Sequence, residues 1–329
     1  MTAVTHEDVR VAAARIAGLV LRTPVLEISP GLFLKLESLQ HSGSFKVRGA
    51  FNRILSAGAL PGSGVIAASG GNHGLAVAFA ARELGVRAEI FVPEVTSPVK
   101  VAGLQALGAH ITQVGAIYSE AAEAAAKRAA ETGALAVHAY DQPEVVAGQG
   151  TTGLEIMEQT GGVDTVVAAV GGGGFAAGIT LGTELPAASV GGGSAGGSGG
   201  GGSRVVAGGP RIVAVEPERI PTLREALRAA GPIPVEVGGV AADALGATRL
   251  GGIAYEVLSG ERVESVLVSD EAIVAARRTL WERHRVVAEP AGAAAYAALL
   301  SGAYRPGEGE RVAVVVCGSN TDPATLTNP

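Results

Sequence analysis

Cysteine is almost missing: Cys317 stands alone among 329 residues. No intrachain disulfide can form, and a single thiol fits a reducing cytosol, so a cytoplasmic location is expected. Lysine is scarce too. Of 25 basic residues only Lys35, Lys46, Lys100 and Lys127 are lysines, which makes each one easier to single out. Positive charge is not in excess either; a net charge of −6 leaves no basic footprint, and nucleic acid is not an expected partner. No long uninterrupted apolar run is present. The most apolar window, VDTVVAAVGGGGFAAGITLG, holds an acid and four consecutive glycines, and reads as strand, turn and helix start rather than a membrane span. The opening residues, MTAVTHEDVRVAAARI, lack the basic start and apolar stretch of a signal peptide and read as an amphipathic helix.

What is present is 47 % apolar content, ample for a core, arranged as short apolar strands alternating with Ala-rich helical patterns. GVIAAS precedes NHGLAVAFAARELG, RAEIFVP precedes PVKVAGLQALG, and DTVVAAV precedes GFAAGITLG. This alternation predicts an α/β fold with mostly parallel sheets covered on both faces. Near residue 143 the rhythm resets with DQPEVVAGQGTTGLEIMEQ, which suggests a boundary between two α/β units. A Gly/Ser tract over 191–203 has nothing to bury; it is a natural low-complexity loop or an inserted linker, expected to be flexible and irrelevant to chemistry.

Four glycine-rich sites draw attention. In SFKVRG, Val47, Ala50, Phe51 and Ile54 recur at helical spacing and Ser44 suits an N-cap. Lys46 therefore falls in a first helical turn, where the macrodipole disfavours an ammonium. It is either a surface lysine at a helix end or a neutral amine able to attack a carbonyl. In ASGGNHGLA, residues Ser69 to Asn72 join a strand to an apolar helix, and their backbone amides can converge on an anion; an ordinary turn with an asparagine cap reads as well. His73 has no second histidine at ligand spacing, so no metal site is expected. In VVAAVGGGGFAAG a strand runs into Gly171, Gly172, Gly173 and Gly174, a turn that lets a phosphate approach backbone amides. The same run satisfies G-x-G-x-x-A, and IVAVEPE ends a later strand in Glu216, which keeps a nicotinamide-dependent oxidoreductase open as a rival. Finally, VAVVVCGSN ends a buried strand in Cys317, which is a small core hydrophobe or a group at the ligand-binding end of an open sheet.

Taken together and in order, LKLESLQHSGSFKVRGA, SGGNHG, HAYDQPEVVAGQGT, VGGGGFAAGI, VAVEPE, AEPAGAA and VVVCGSN resemble the fold type II pyridoxal-phosphate enzymes, within them the serine/threonine dehydratase and serine racemase family. The resemblance spans nearly the whole chain apart from the Gly/Ser tract. It implies a two-domain fold: a large cofactor domain from 1–55 and 143–329, and a small domain over 56–142. It implies pyridoxal 5′-phosphate bound covalently by Lys46, with Phe45 packing by its ring and Asn72 hydrogen-bonding its 3-hydroxyl. Gly171, Gly172, Gly173 and Gly174 would hold the phosphate. Cys317 would face the pyridine nitrogen and Glu289 would lie near the ring. Ser69, Gly70, Gly71, Asn72 and His73 would bind a substrate carboxylate. The implied reaction is β-elimination from L-threonine or L-serine to a 2-oxo acid and ammonia, with threo-3-hydroxyaspartate or serine racemisation as alternatives, in a homodimer or homotetramer.

Two positions depart from that pattern. Racemising members carry a serine where Gly70 stands, so elimination is expected to exceed racemisation. Members that bind a divalent metal carry an acid where Thr222 follows Glu216, which puts such a site in doubt and leaves a monovalent cation open. No regulatory extension is expected after CGSNTDPATLTNP, and a non-catalytic binding relative stays open.

Overall fold

The computed structural model describes residues 3–184 and 208–326, so the Gly/Ser tract and the expectation attached to it lie outside the described residues. Two sheets organise the chain. The first has the order β1 (Val25–Ser29), β2 (Leu32–Leu36), β10 (Val312–Val316), β7 (Thr165–Ala169), β8 (Arg211–Pro217) and β9 (Val263–Val268). Only β1 runs antiparallel to its neighbour. The second sheet is wholly parallel, in the order β5 (His110–Gln113), β4 (Ala88–Val92), β3 (Val65–Ala68) and β6 (Leu135–Ala136).

The central strands VAVVV and TVVAA are buried along their whole length, as continuous apolar runs in a two-sided sheet should be. Helix α12 (Pro290–Ser301) packs on β7, β8, β9 and β10, and α7 (Gly174–Gly182) packs on β7 and β8. The second sheet is covered by α3 (Asn72–Glu83) and α5 (Tyr118–Thr132). Helix α2 (Lys46–Ser56) joins the two layers. Its Val47, Ala50, Phe51 and Ile54 enter the core of the second sheet, while it also packs on α6 (Pro143–Thr160), which lies against α7. Close approach is possible because Gly148 of α6 meets the Arg48 carbonyl, where a Cβ would stand 2.7 Å from the oxygen.

Amphipathic helix α1 (His6–Ile16) forms as expected, closed by a Thr5–Asp8 capping box. The N-cap expected at Ser44 is not found. The residue before α2 is Phe45, which makes no side-chain cap, and Ser44 is extended instead, bridging Gly318 beyond β10. The bridge fixes where the chain turns into the helix, so register on β10 decides the start of α2 and the serine hydroxyl does not.

Parallel pairing sends the carboxyl ends of β2, β10 and β7 to one edge. From that edge emerge the segment carrying Lys46, Cys317, and the tetraglycine turn. From the carboxyl ends of β3, β4 and β6 emerge Ser69–Asn72, Pro93–Ser97 and His138–Tyr140.

Candidate active site

These ends line a cleft of about 460 Å³, which adjoins a narrow recess of about 40 Å³ reaching to Phe45, Cys317 and the glycine turn. Lys46, Asn72, Tyr140 and Gly172 line both. Lys46 is partly accessible from the cleft, yet its amine is densely surrounded and donates to the Ala139 carbonyl at 2.7 Å. Burial lowers its pKa to about 8, against the opposing pull of Cys317 and Glu289. The residue that the helix start flagged is thus an amine that sheds its proton easily. Because only the neutral amine attacks an aldehyde, capture of pyridoxal phosphate by cofactor-free protein should accelerate about tenfold per pH unit below about 8 and level off above it. Stopped-flow absorbance would show this, and a flat profile would reject Lys46 as the titrating nucleophile.

Around Lys46, burial shifts the acidic groups toward their neutral forms. Burial pushes the Cys317 thiol well up, so it stays S–H and donates to the Ala291 carbonyl at 3.5 Å. Burial likewise raises Glu289 to about 7, although Asn72 Nδ2 donates to its Oε1 at 2.6 Å. The Asn72 Oδ1 in turn accepts from Asn320 Nδ2 at 2.6 Å, so this side chain is held from both ends. Asn72 is the first residue of α3 and Gly71 precedes it with no side-chain cap; the asparagine does not cap the helix but faces the recess. The amides of the first turn of α3 are left without intrahelical acceptors, beside Ser69, Gly70 and Gly71 on the cleft wall. His73 also lines the cleft, but its Nε2 bonds the Val137 carbonyl at 2.9 Å and burial lowers its pKa to about 3. The imidazole is neutral wall, and only the backbone of His73 is free to meet an anion.

The tetraglycine turn is packed from behind. Gly173 has φ +84° at the N-terminus of α7, and a Cβ on Gly172 would stand only 2.3 Å from the Tyr140 ring. Phe45 stacks on Phe175 just beyond the turn, with ring centroids 3.7 Å apart. Thr222 donates to the Gly171 carbonyl at 2.5 Å, and helix α8 (Thr222–Arg228) starts there. The Glu216 carboxylate accepts the Leu223 and Arg224 amides at 2.6 and 2.9 Å and lies 3.1 Å from Thr222 Oγ1. Glu216 therefore closes the start of α8. It is not presented to a nucleotide ribose, which removes the structural basis of the nicotinamide reading.

Sequence reasoning assigned no role to Tyr140, Thr222, Asn320 or the Ala139 carbonyl. HAYDQPEVVAGQGT contained the first and last of these, but nothing in the string shows that it returns to a glycine turn some thirty residues on.

A buried, weakly basic amine facing an anion cradle defines a class: enzymes that hold a phosphorylated carbonyl cofactor on a lysine. The family described as pyridoxal-phosphate dependent enzyme matches residues 16–318, and the chain belongs to it. It is 35 % identical to the L-threonine ammonia-lyase of Thermotoga maritima over 97 % of this chain and 76 % of that protein. Among solved structures, maize serine racemase superposes with a TM-score of 0.85 at 30 % identity, covering 98 % of this chain and 96 % of that one. A T.th. threonine deaminase gives a TM-score of 0.82 at 35 % identity, over 96 % of this chain and 98 % of that one. The fold is that of the type II pyridoxal-phosphate enzymes, and the cofactor is pyridoxal phosphate. The residues present fit it: an amine for the aldehyde, a glycine turn too tightly backed to carry side chains, amides at a helix start, and a thiol at a strand end. No helix among the described residues is long and apolar enough to cross a membrane.

Proposed function

We propose that this enzyme is an ammonia-lyase that eliminates water from L-threonine or L-serine. Lys46 would hold the cofactor by its aldehyde, Phe45 by ring packing, Asn72 by its phenolic oxygen, Gly171–Gly174 by its phosphate and Cys317 by its ring nitrogen, with Glu289 beside the ring. When bound, pyridoxal phosphate supplies an electron sink conjugated to the substrate amine. The loop Ser69–His73, through amides at the start of α3, takes the substrate carboxylate. Lys46, released as a neutral amine, removes the Cα proton.

The observation that carries this reading is the neutral Cys317 at the end of β10. A thiol that keeps its proton leaves no anion to hold a pyridinium charged, so a long-lived carbanion is disfavoured and prompt loss of a β-leaving group is favoured. Gly70 supports the same outcome, since it offers no proton on the face opposite Lys46. At the cleft mouth Lys100 is ion-paired with Asp243, so its charge is already answered; this favours serine and threonine over threo-3-hydroxyaspartate, whose second carboxylate needs a cation.

The test is a panel of β-hydroxy amino acids with 2-oxo acid release and product enantiomer followed together. Elimination should exceed L-to-D conversion of serine by at least about tenfold. Racemisation as fast as elimination would overturn the assignment, and a coloured protein that releases no ammonia from any member would identify a binding relative instead. The same reading places the enzyme in the cytoplasm as a homodimer or homotetramer. It divides the chain into a large domain (1–55 and 143–329) and a small one (56–142), with the two closing over substrate to exclude water. Light scattering with and without serine checks the assembly.

A further inference from the structure

The two ends of the Asn72 amide suit opposite partners. An N–H donated to a phenolic oxygen favours its ionised form, whereas a carbonyl can only accept from the protonated one. Which end is offered is decided away from the recess. Ser42 supplies a backbone carbonyl, which can only accept, so the Asn320 atom 2.8 Å from it is Nδ2. The same Nδ2 lies 2.6 Å from Asn72 and, being a donor, requires Oδ1 there. Asn72 Nδ2 is thereby turned to Glu289 Oε1 at 2.6 Å. Both hydrogens of Asn320 Nδ2 are spent, one on each oxygen. Asn72 Nδ2 has a single acceptor among the described residues, Glu289, and keeps its second hydrogen on a side chain that lines cleft and recess. The loop before α2 is shaped to seat the asparagine: Gly43 has φ +75°, and a Cβ there would collide with Asn320 Oδ1.

We propose that Asn320 is a positioning residue, which sets the Asn72 amide so that its N–H, and not its carbonyl, meets the phenolic oxygen of the cofactor. The proposal rests on the reading above that Asn72 meets that oxygen, and it adds which atom does so and what fixes the choice. Asn320 is exposed and lines neither the cleft nor the recess, so it acts through Asn72 alone. Its two acceptors belong to the loop that leads into Lys46 and to the first residue of α3, and it follows Cys317 by three positions. One amide thus ties together the three segments that carry the amine, the asparagine and the thiol. A donor at the phenolic oxygen favours its ionised form. In that form bound pyridoxal phosphate absorbs visible light, and its reactive carbon is most open to an incoming amine.

The test is spectroscopic. Asn320→Asp keeps the shape of the side chain and removes both donated hydrogens. At fixed pH, the visible-to-near-ultraviolet absorbance ratio of cofactor-loaded N320D should fall about fivefold, the equivalent of one net hydrogen bond of ~1 kcal/mol. Asn320→Ala repeats the loss without adding a charge and should lower the ratio in the same direction. Asn72→Ala should lower it at least as far as N320D. A lowered ratio in N72A with an unchanged ratio in both Asn320 variants overturns the proposal. Weaker cofactor binding by the Asn320 variants in fluorescence titration, again with the ratio unchanged, also overturns it and makes Asn320 a brace for the loop. An unchanged ratio in N72A itself would sink the reading that Asn72 meets the phenolic oxygen, and the proposal with it.

Discussion

Lys46→Ala protein is expected to release ammonia from threonine or serine at least ~10⁴-fold more slowly than the unmodified enzyme, and to lose the visible absorption of bound cofactor on dialysis. The size of the effect follows from two duties falling on one atom, as nucleophile toward the cofactor aldehyde and as base at Cα. No other lysine can step in. Lys35 is fully buried and donates to Glu155 at 2.5 Å and Gln159 at 2.8 Å, and Lys100 is paired with Asp243 at the cleft mouth. Lys127 lies on α5, away from the residues that line the cleft. The fold should survive, because alanine is the better helix former and the Ala139 carbonyl that loses its donor faces a cleft open to water. Thermal melting within about 2 °C of the unmodified apoprotein would confirm this, a shift of less than ~1 kcal/mol for a chain of this size. Retention of a tenth or more of the activity would remove Lys46 from the chemistry.

How far the sequence reached depends on how far apart the interacting residues lie in the chain. The helix start at Lys46, the turn at Gly171–Gly174 and the strand ending at Cys317 are local patterns, and periodicity with glycine placement was enough to locate them. Parallel strands then follow from alternation, and parallel pairing by itself gathers strand carboxyl ends on one edge. Partnerships across the chain were not legible. Asn320 reaches Asn72 over 248 residues, and Lys46 finds the Ala139 carbonyl over 93. Ser44 was misread for the same reason: a cap is a local rule, and the bridge to Gly318 that overrides it comes from the far end of the chain. The partner of His73 was equally illegible: the Val137 carbonyl that its Nε2 bonds lies 64 residues away.

Arg48 carries the largest stability effect outside the site. It lies two residues beyond Lys46 and is fully buried, as are Glu37 and Lys35. Its guanidinium grips Glu37 with two bonds of 2.7 Å and Glu155 with bonds of 2.7 and 3.0 Å, while Lys35 and Thr23 add donors to Glu155 and Glu37, each at 2.5 Å. Two cations thus balance two anions, with the fork geometry that arginine supplies and lysine does not. Burial by itself would raise the Glu37 carboxyl, but Arg48 beside it more than offsets this and holds it below the usual range. The associated stability is therefore present at neutral pH and fades as pH falls through that depressed value. Arg48→Met removes one cation and leaves Glu37 and Glu155 to share Lys35. Denaturant unfolding should show a loss of about 3–5 kcal/mol, the cost of orphaning a buried charge. Adding Glu37→Gln to Arg48→Met should recover part of that loss, because the second change deletes the orphaned anion. Since Glu37 follows β2, Glu155 sits on α6 and Arg48 on α2, the cluster ties the helix bearing Lys46 to both of its supports. Cofactor affinity should fall together with stability in R48M and return together with it in the double variant. A single variant within about 1 kcal/mol of the unmodified protein would show instead that α2 is held by its apolar face alone.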